Sequence, residues 1–222
     1  MTASSESPKK RSLKPSISIH QLIDTEFKEY AVNEKWERII GIPEQNFRML
    51  IWGPSGSGKT TLGLILAKYL ACNFGKVYYN SSEQGKSSAL KKAAIRLGLN
   101  EIPAGKMMIG NRDTFDDFVE KIKRTHPRFI FIDSLQYFNL TEAQYKLLIK
   151  LFPTRAFIII SWEKSGEPKG EYAKSIRYMV DIKCTVDKGL AECESRFGAT
   201  EPYRVIPKKV KTGEQLSLLN SN

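Results

Sequence analysis

Phe47-Arg-Met-Leu-Ile-Trp-Gly-Pro-Ser-Gly-Ser-Gly-Lys-Thr60 is the stretch from which the fold can be read. An apolar run of strand character, Phe47–Trp52, enters Gly53-Pro-Ser-Gly-Ser-Gly-Lys-Thr60, and the helical run TTLGLILAKYLACNF leaves it, ending near Gly75. The loop fits the pattern GxxxxGK[ST] in the context that pattern requires, a strand before and a helix after. Such a loop wraps phosphates with backbone N–H groups, glycine permits the close approach, and the helix N-terminus adds free donors. The expected nucleotide-contacting residues are Gly53, Pro54, Ser55, Gly56, Ser57, Gly58, Lys59, Thr60 and Thr61. Lys59 is expected to reach the β/γ-phosphates and Thr60 to ligate magnesium.

Outward from the loop, strand-like and helix-like runs alternate. Lys76–Asn80 reads as a strand, 86–97 as a basic helix, Met107–Ile109 as a short strand and Asp113–Arg124 as an amphipathic helix stopped near Pro127. Arg128–Asp133 is a strand ending in an acid, Thr141–Leu151 a helix with a Thr cap, and Arg155–Ser161 a strongly apolar strand. A charged Gly/Pro loop, 162–171, precedes a short helix at Tyr172–Arg177. Strands at Met179–Val186 and Leu190–Arg196 meet at Asp187-Lys188-Gly189, and a last strand is expected at Tyr203–Pro207. The alternation predicts an α/β fold with a mostly parallel central sheet flanked by helices, closed by a C-terminal antiparallel hairpin. Upstream, Leu22, Ile23, Phe27, Tyr30 and Ala31 fit one face of a helix in a segment spanning 20–46, read as a lid or packing arm. The expected organisation is a disordered basic arm at 1–19, that helical segment, the main domain at 47–210 and a flexible tail at 211–222.

The chain has 222 residues, 41% apolar and 27% charged, enough for one domain with a core. Thirty-five Lys and Arg against 24 Asp and Glu give a net charge of +11, which favours polyanionic partners. The excess is spread over Lys9–Lys14, the 86–96 helix, the 163–177 region and Lys208–Lys211. No run approaches the roughly 18 apolar residues of a membrane helix, and no apolar core follows Lys9, Lys10 and Arg11 as in a signal peptide. Cys72, Cys184 and Cys193 lie far apart along the chain and match no common zinc spacing. A cytoplasmic protein without membrane attachment is therefore expected.

Two acids stand where a phosphate site needs them. Asp133 ends the strand RFIFID, which suits a magnesium carboxylate. Glu83 follows the Lys76–Asn80 strand, and strand C-termini gather around the ligand in such sheets, so Glu83 can orient and activate an attacking water.

From Phe47 to about Gly198 the chain resembles the RecA-type P-loop ATPase core, and within it the bacterial RadA/Sms branch. The features that carry the resemblance occur in order: the phosphate loop, YYNSSEQ at 78–84, IDS at 132–134, Lys164-x-Gly166, and ESRFG at 194–198. The resemblance implies a RecA-like P-loop NTPase fold, ATP and Mg²⁺ as ligands, Glu83 as the catalytic glutamate, and Ser161 as the polar sensor of the γ-phosphate, a position where RadA relatives carry His. Arg196 matches the arginine of the branch's Lys-Asn-Arg-Phe-Gly signature and would reach a neighbour's active site as a finger, although Glu194 replaces the companion lysine. The loop Glu163–Ser175 lies where RecA-type proteins face DNA; Lys164, Lys169, Lys174 and Arg177 are its candidate nucleic-acid contacts, with Trp162 and Tyr172 as candidates for stacking on bases. The zinc module and protease-like domain of RadA relatives do not fit in this length, so a stand-alone core of the phage, plasmid or mobile-element kind is expected.

Two functions from different classes follow. One is a magnesium-dependent ATP phosphohydrolase, a homo-oligomeric ring or filament, acting on DNA in recombination, repair or replication. The other is a weakly active nucleotide switch that recruits a helicase, a transposase or another protein. A small-molecule kinase is a third reading, against which IDS and the ESRFG hairpin count.

Overall fold

The computed structural model describes residues 16–207. The expected tail at 211–222 and the first fifteen residues of the expected arm lie outside the described residues.

In chain order, the elements are α1 (Ile19–Ile23), α2 (Glu34–Ile40), β1 (Arg48–Gly53), α3 (Lys59–Asn73), β2 (Val77–Ser81), α4 (Ser88–Arg96), β3 (Met107–Asn111), α5 (Phe115–Thr125), β4 (Phe129–Asp133), α6 (Leu135–Phe138) and α7 (Glu142–Leu151). Then come β5 (Ala156–Lys164), β6 (Glu167–Pro168), α8 (Glu171–Met179), β7 (Ile182–Asp187), β8 (Leu190–Ser195) and β9 (Tyr203–Arg204). The strands form one sheet in the order β3-β2-β4-β5-β1-β7-β8-β9, with β6 paired to β5. From β3 to β7 every pairing is parallel; β7–β8 and β8–β9 are antiparallel.

Both faces of the parallel part are covered, which is why its strands are continuous apolar runs. One face, with Met49, Ile51, Tyr79, Phe131, Ile158 and Ile160, packs under α3 through Leu62, Leu66 and Leu70. The other, with Leu50, Ile130, Ile132, Phe157 and Ile159, carries α5, α7 and α8 through Phe118, Ile122, Leu148 and Ile176. Local chemistry sets the helix ends. Thr114 caps α5 by accepting from Asp117 N–H at 3.2 Å, with Asp116 and Asp117 in the first turn and Lys123 and Arg124 in the last. A reciprocal Thr141/Gln144 capping box starts α7.

Three local expectations differ from the structure. The 20–46 segment is not one amphipathic helix: α1 and α2 are separated by extended chain that bridges Glu29 to Glu44. Leu22, Ile23 and Phe27 are exposed, while Tyr30, Trp36, Ile39 and Ile40 are buried against the α3 side of the core. The apolar repeat there is too short to hold a helix, and burial of Tyr30 against Phe47, Phe74 and Phe129 decides the path. Second, the 162–171 stretch is not an open loop. Strand β5 runs on to Lys164 and turns back through Ser165 and Gly166, both at positive φ, into β6. Third, Cys184 and Cys193, read as unpaired, face each other across β7 and β8, nine residues apart, with their Sγ atoms 2.7 Å apart.

Candidate nucleotide site

The parallel strands end together at one edge of the sheet. Ser81 at the end of β2 is level with Asp133 on β4, Asp133 with Ile160 on β5, and Trp162 with Gly53 on β1. Chain leaving these ends builds a cleft of about 540 Å³ lined by the phosphate loop and Thr61, by Glu83, Gln84 and Asp133, and by Tyr137, Trp162, Glu163, Lys169 and Ile206.

Close packing requires the first glycine of the loop, and positive φ favours glycine at Gly56 and Gly58. A Cβ on Gly53 would lie 2.0 Å from the Val186 carbonyl oxygen, so β7 seats the loop's first residue. Gly58, at φ +108°, turns the chain into α3. The turn between β7 and β8 braces the loop from outside, Gly189 N–H donating to Ser57 O at 3.0 Å. Gly189 O in turn accepts from Val205 and Ile206 N–H at 2.8 and 3.2 Å, which sets Ile206 beside Gly58. Lys59 is 8% exposed, its Nζ donating to the carbonyls of Gly53 and Pro54 at 2.9 and 2.7 Å. Burial lowers its pKa, and the carboxylates of Glu83 and Asp133 act against that.

Asp133 is 2% exposed, and burial raises its carboxyl to about 6, while the Tyr79 and Thr60 hydroxyls pull the other way. Its Oδ2 accepts from Tyr79, and its Oδ1 is buried without a hydrogen-bond partner. Ser57 Oγ, Ser82 Oγ, Gln84 Oε1 and Ser134 Oγ are also buried without partners around the same strand ends. Buried polar atoms are ordinarily paired, so this concentration marks a place built for a polar ligand. The donors near Asp133 are hard oxygens, which fit magnesium; Thr60 and Asp133 would supply its protein ligands. Among the described residues no group of three or more His, Cys, Asp or Glu forms a metal cluster.

Glu83 is held at the cleft by its N–H, which donates to Asp133 O at 3.0 Å, and its Oε2 accepts from Trp162 Nε1 at 3.3 Å. The phosphate loop, Asp133 and Glu83 are therefore brought together. Ser161 and Arg196 are not. Ser161 is fully buried, its Oγ accepting from Gln136 Nε2 at 2.8 Å, and it does not line the cleft. Arg196 is exposed and pairs with Asp181 at 3.5 Å. Asp181 is bonded to Arg48 at the start of β1, whereas the loop leaves its end at Gly53. Five residue steps along β1 separate the two, about 17 Å at the usual strand rise, so Arg196 cannot reach its own chain's cleft.

The candidate nucleic-acid residues divide. Lys164 and Lys174 are exposed, Lys174 3.9 Å from Glu171. Lys169 lines the cleft with its Nζ 4.9 Å from the Trp162 ring. Arg177 is used within the fold, bonded to Glu167 at 2.5 Å and set over the Trp52 ring at 5.4 Å. Trp162, read as a base-stacking side chain, instead faces Glu83. Tyr79, Tyr137 and Ile206 were assigned no role from the sequence; Tyr79 lies in YYNSSEQ, the segment that also carries Glu83 and Gln84, and this was the one signal of its proximity.

The profile of the ATPase family associated with various cellular activities (AAA) matches residues 49–147. No curated protein matches the chain. Among solved structures, a KaiC-like protein from the hyperthermophilic archaeon Pyrococcus horikoshii superposes with a TM-score of 0.50 at 15% identity, over 73% of this chain and 82% of that one. No helix among the described residues is long and apolar enough to cross a membrane. Neither comparison separates the RadA/Sms branch from other relatives. The sheet order, the phosphate loop between β1 and α3, and this superposition together give the chain the fold of the RecA-like P-loop ATPases.

Proposed function

We propose that the chain is a magnesium-dependent ATPase that acts on DNA as a homo-oligomer. The nucleotide part is carried by one observation: the phosphate loop, Asp133 and Glu83 converge on a single cleft edged with unpartnered buried oxygens. In this reading the loop's N–H groups wrap the phosphates. Lys59 exchanges two carbonyl partners for phosphate oxygens and offsets charge as the γ-phosphoryl transfers. Glu83 orients the attacking water and takes up its proton. Thr60 and Asp133 would hold Mg²⁺, which would supply neutralisation of the phosphate charge.

Assembly is supported by Arg196, which lies at the far end of β1 from its own cleft and is exposed, its side chain held there by its long pair with Asp181. DNA is supported by the exposed Lys164 and Lys174 and by the overall charge of +11. A weakly active switch that recruits a helicase or transposase is favoured by two departures. Ser161 is turned to Gln136, and Glu194 pairs with Lys183 at 3.2 Å where the branch's signature has a cation.

ATP turnover measured alone and with single- and double-stranded DNA, across salt, tests both. Stimulation that fades with salt is expected for the ATPase. ATP binding without turnover or DNA effect points to the switch, and absence of ATP binding overturns both.

A further inference from the structure

Trp162 is held through both its backbone and its ring. Its backbone N–H donates to Gln136 Oε1 at 3.0 Å, and its carbonyl accepts from Lys169 N–H at 2.8 Å. Tyr137 meets the ring edge-on at 5.3 Å between centroids, and the Lys169 ammonium sits 4.9 Å from the ring. Gln136 also donates to Ser161 Oγ and to Lys169 O, both at 2.8 Å, so one amide ties the two strands of the β5–β6 hairpin at its base. The one polar atom of the indole points out of this clamp, donating from Nε1 to Glu83 Oε2 at 3.3 Å. Among the described residues, it is the one hydrogen-bond donor to the Glu83 carboxylate.

Glu83 hangs from a loop, and its side-chain torsions turn freely unless something holds the carboxylate. A fixed donor does so without entering the reaction. Such bonds are often long before substrate binds and tighten afterwards. We infer that Trp162 is a positioning residue whose indole N–H sets the orientation of the Glu83 carboxylate for its attack-directing role, and that Lys169 and Gln136 hold the indole in place. The inference rests on the ATPase reading above. It assigns Lys169 a partner inside its own chain, beside the polyanion contact expected for it.

The test compares wild type, Trp162→Phe and Glu83→Gln for steady-state turnover, for Kd of a fluorescent ATP analogue, and for melting temperature. Phenylalanine keeps an aromatic ring for Tyr137 and Lys169 while removing the donor and part of the indole, and the melting temperature reads the packing that is lost. Turnover number is expected to fall about ten-fold in Trp162→Phe, since a misplaced group costs one to two decades. Kd should stay within about two-fold, because a loss confined to the transition state leaves ground-state binding alone. Unchanged turnover overturns the positioning role. A parallel loss of binding and turnover also overturns it, since Trp162 would then be a wall of the pocket. If Glu83→Gln turns over like wild type, the ATPase reading of Glu83 has failed, and that result is separate from the behaviour of Trp162→Phe.

Discussion

The Tyr79 hydroxyl donates a 2.7 Å hydrogen bond to Asp133 Oδ2 from the neighbouring strand. Tyr79 is fully buried, stacked on Phe131 with centroids 5.3 Å apart, and reaches Asp133 beneath α3, where Gly63 leaves room for its hydroxyl. This bond occupies one carboxylate oxygen and leaves the other facing the cleft.

Tyr79→Phe removes that donor from a buried carboxylate. The expected cost is about 1–3 kcal/mol of stability at pH 7, visible in thermal melts. The pH below which magnesium-dependent nucleotide binding is lost should rise, because the charged form of Asp133 loses its support.

Asp133→Asn tests the burial itself. In the folded chain the carboxyl ionises near pH 6, above its ordinary value of 3.8. The folded state therefore binds more protons than the unfolded one between those values, and stability falls as pH rises through that window. Above about pH 6 the buried charge costs on the order of 3 kcal/mol, at about 1.4 kcal/mol for each pH unit by which ionisation is delayed. Asn removes it, so the variant should melt higher than wild type at pH 7, with the gap closing towards pH 4, while losing magnesium-dependent binding. A lower melting point for Asp133→Asn at neutral pH would contradict this.

Gly53→Ala and Gly56→Ala should separate cleanly. The first places a methyl group 2.0 Å from the Val186 carbonyl oxygen, which is backbone and cannot swing aside. We expect loss of more than about 3 kcal/mol or failure to fold. The second meets nothing within 4 Å but sits at φ +74°. About 1–2 kcal/mol is expected there, measured by denaturant unfolding.

Arg196→Ala should leave stability within about 0.5 kcal/mol, because its ion pair with Asp181 is long and exposed. Turnover should fall about a thousand-fold if Arg196 serves a neighbouring site. Mixing Arg196→Ala with Glu83→Gln then restores part of the turnover, since each mixed interface can join one intact Glu83 to one intact Arg196. No recovery on mixing would refute action across subunits.

Lys164→Ala combined with Lys174→Ala should weaken DNA binding evenly across sequences and reduce its salt slope by about 2. Arg177→Ala should instead lower the melting point. It strands Glu167 and uncovers the Trp52 ring, to which Arg177 is packed.

Much of this site was readable because its chemistry is local. Gly53–Thr60 encodes its own geometry through glycine and a helix start, and Asp133 and Glu83 follow strands whose ends must meet in a parallel sheet. The Cys184–Cys193 contact was implicit in the Asp187-Lys188-Gly189 turn, since a tight hairpin fixes which residues face each other. The 20–46 segment was not readable, because five apolar residues fit a helical face equally well whether that face is buried or only Tyr30 is.

The sequence by itself determined the strand–loop–helix unit, the mostly parallel sheet and the identity of the acids, because periodicity, glycine and turn chemistry act over a few residues. Tertiary structure alone decided which side chains share a space. It put Trp162 on Glu83 rather than on a base and turned Ser161 to Gln136. It also committed Arg177 to Glu167 and set Arg196 a strand's length from its own cleft. Those placements depend on strand order and on which end of a strand a residue occupies, and neither is encoded near the residue itself.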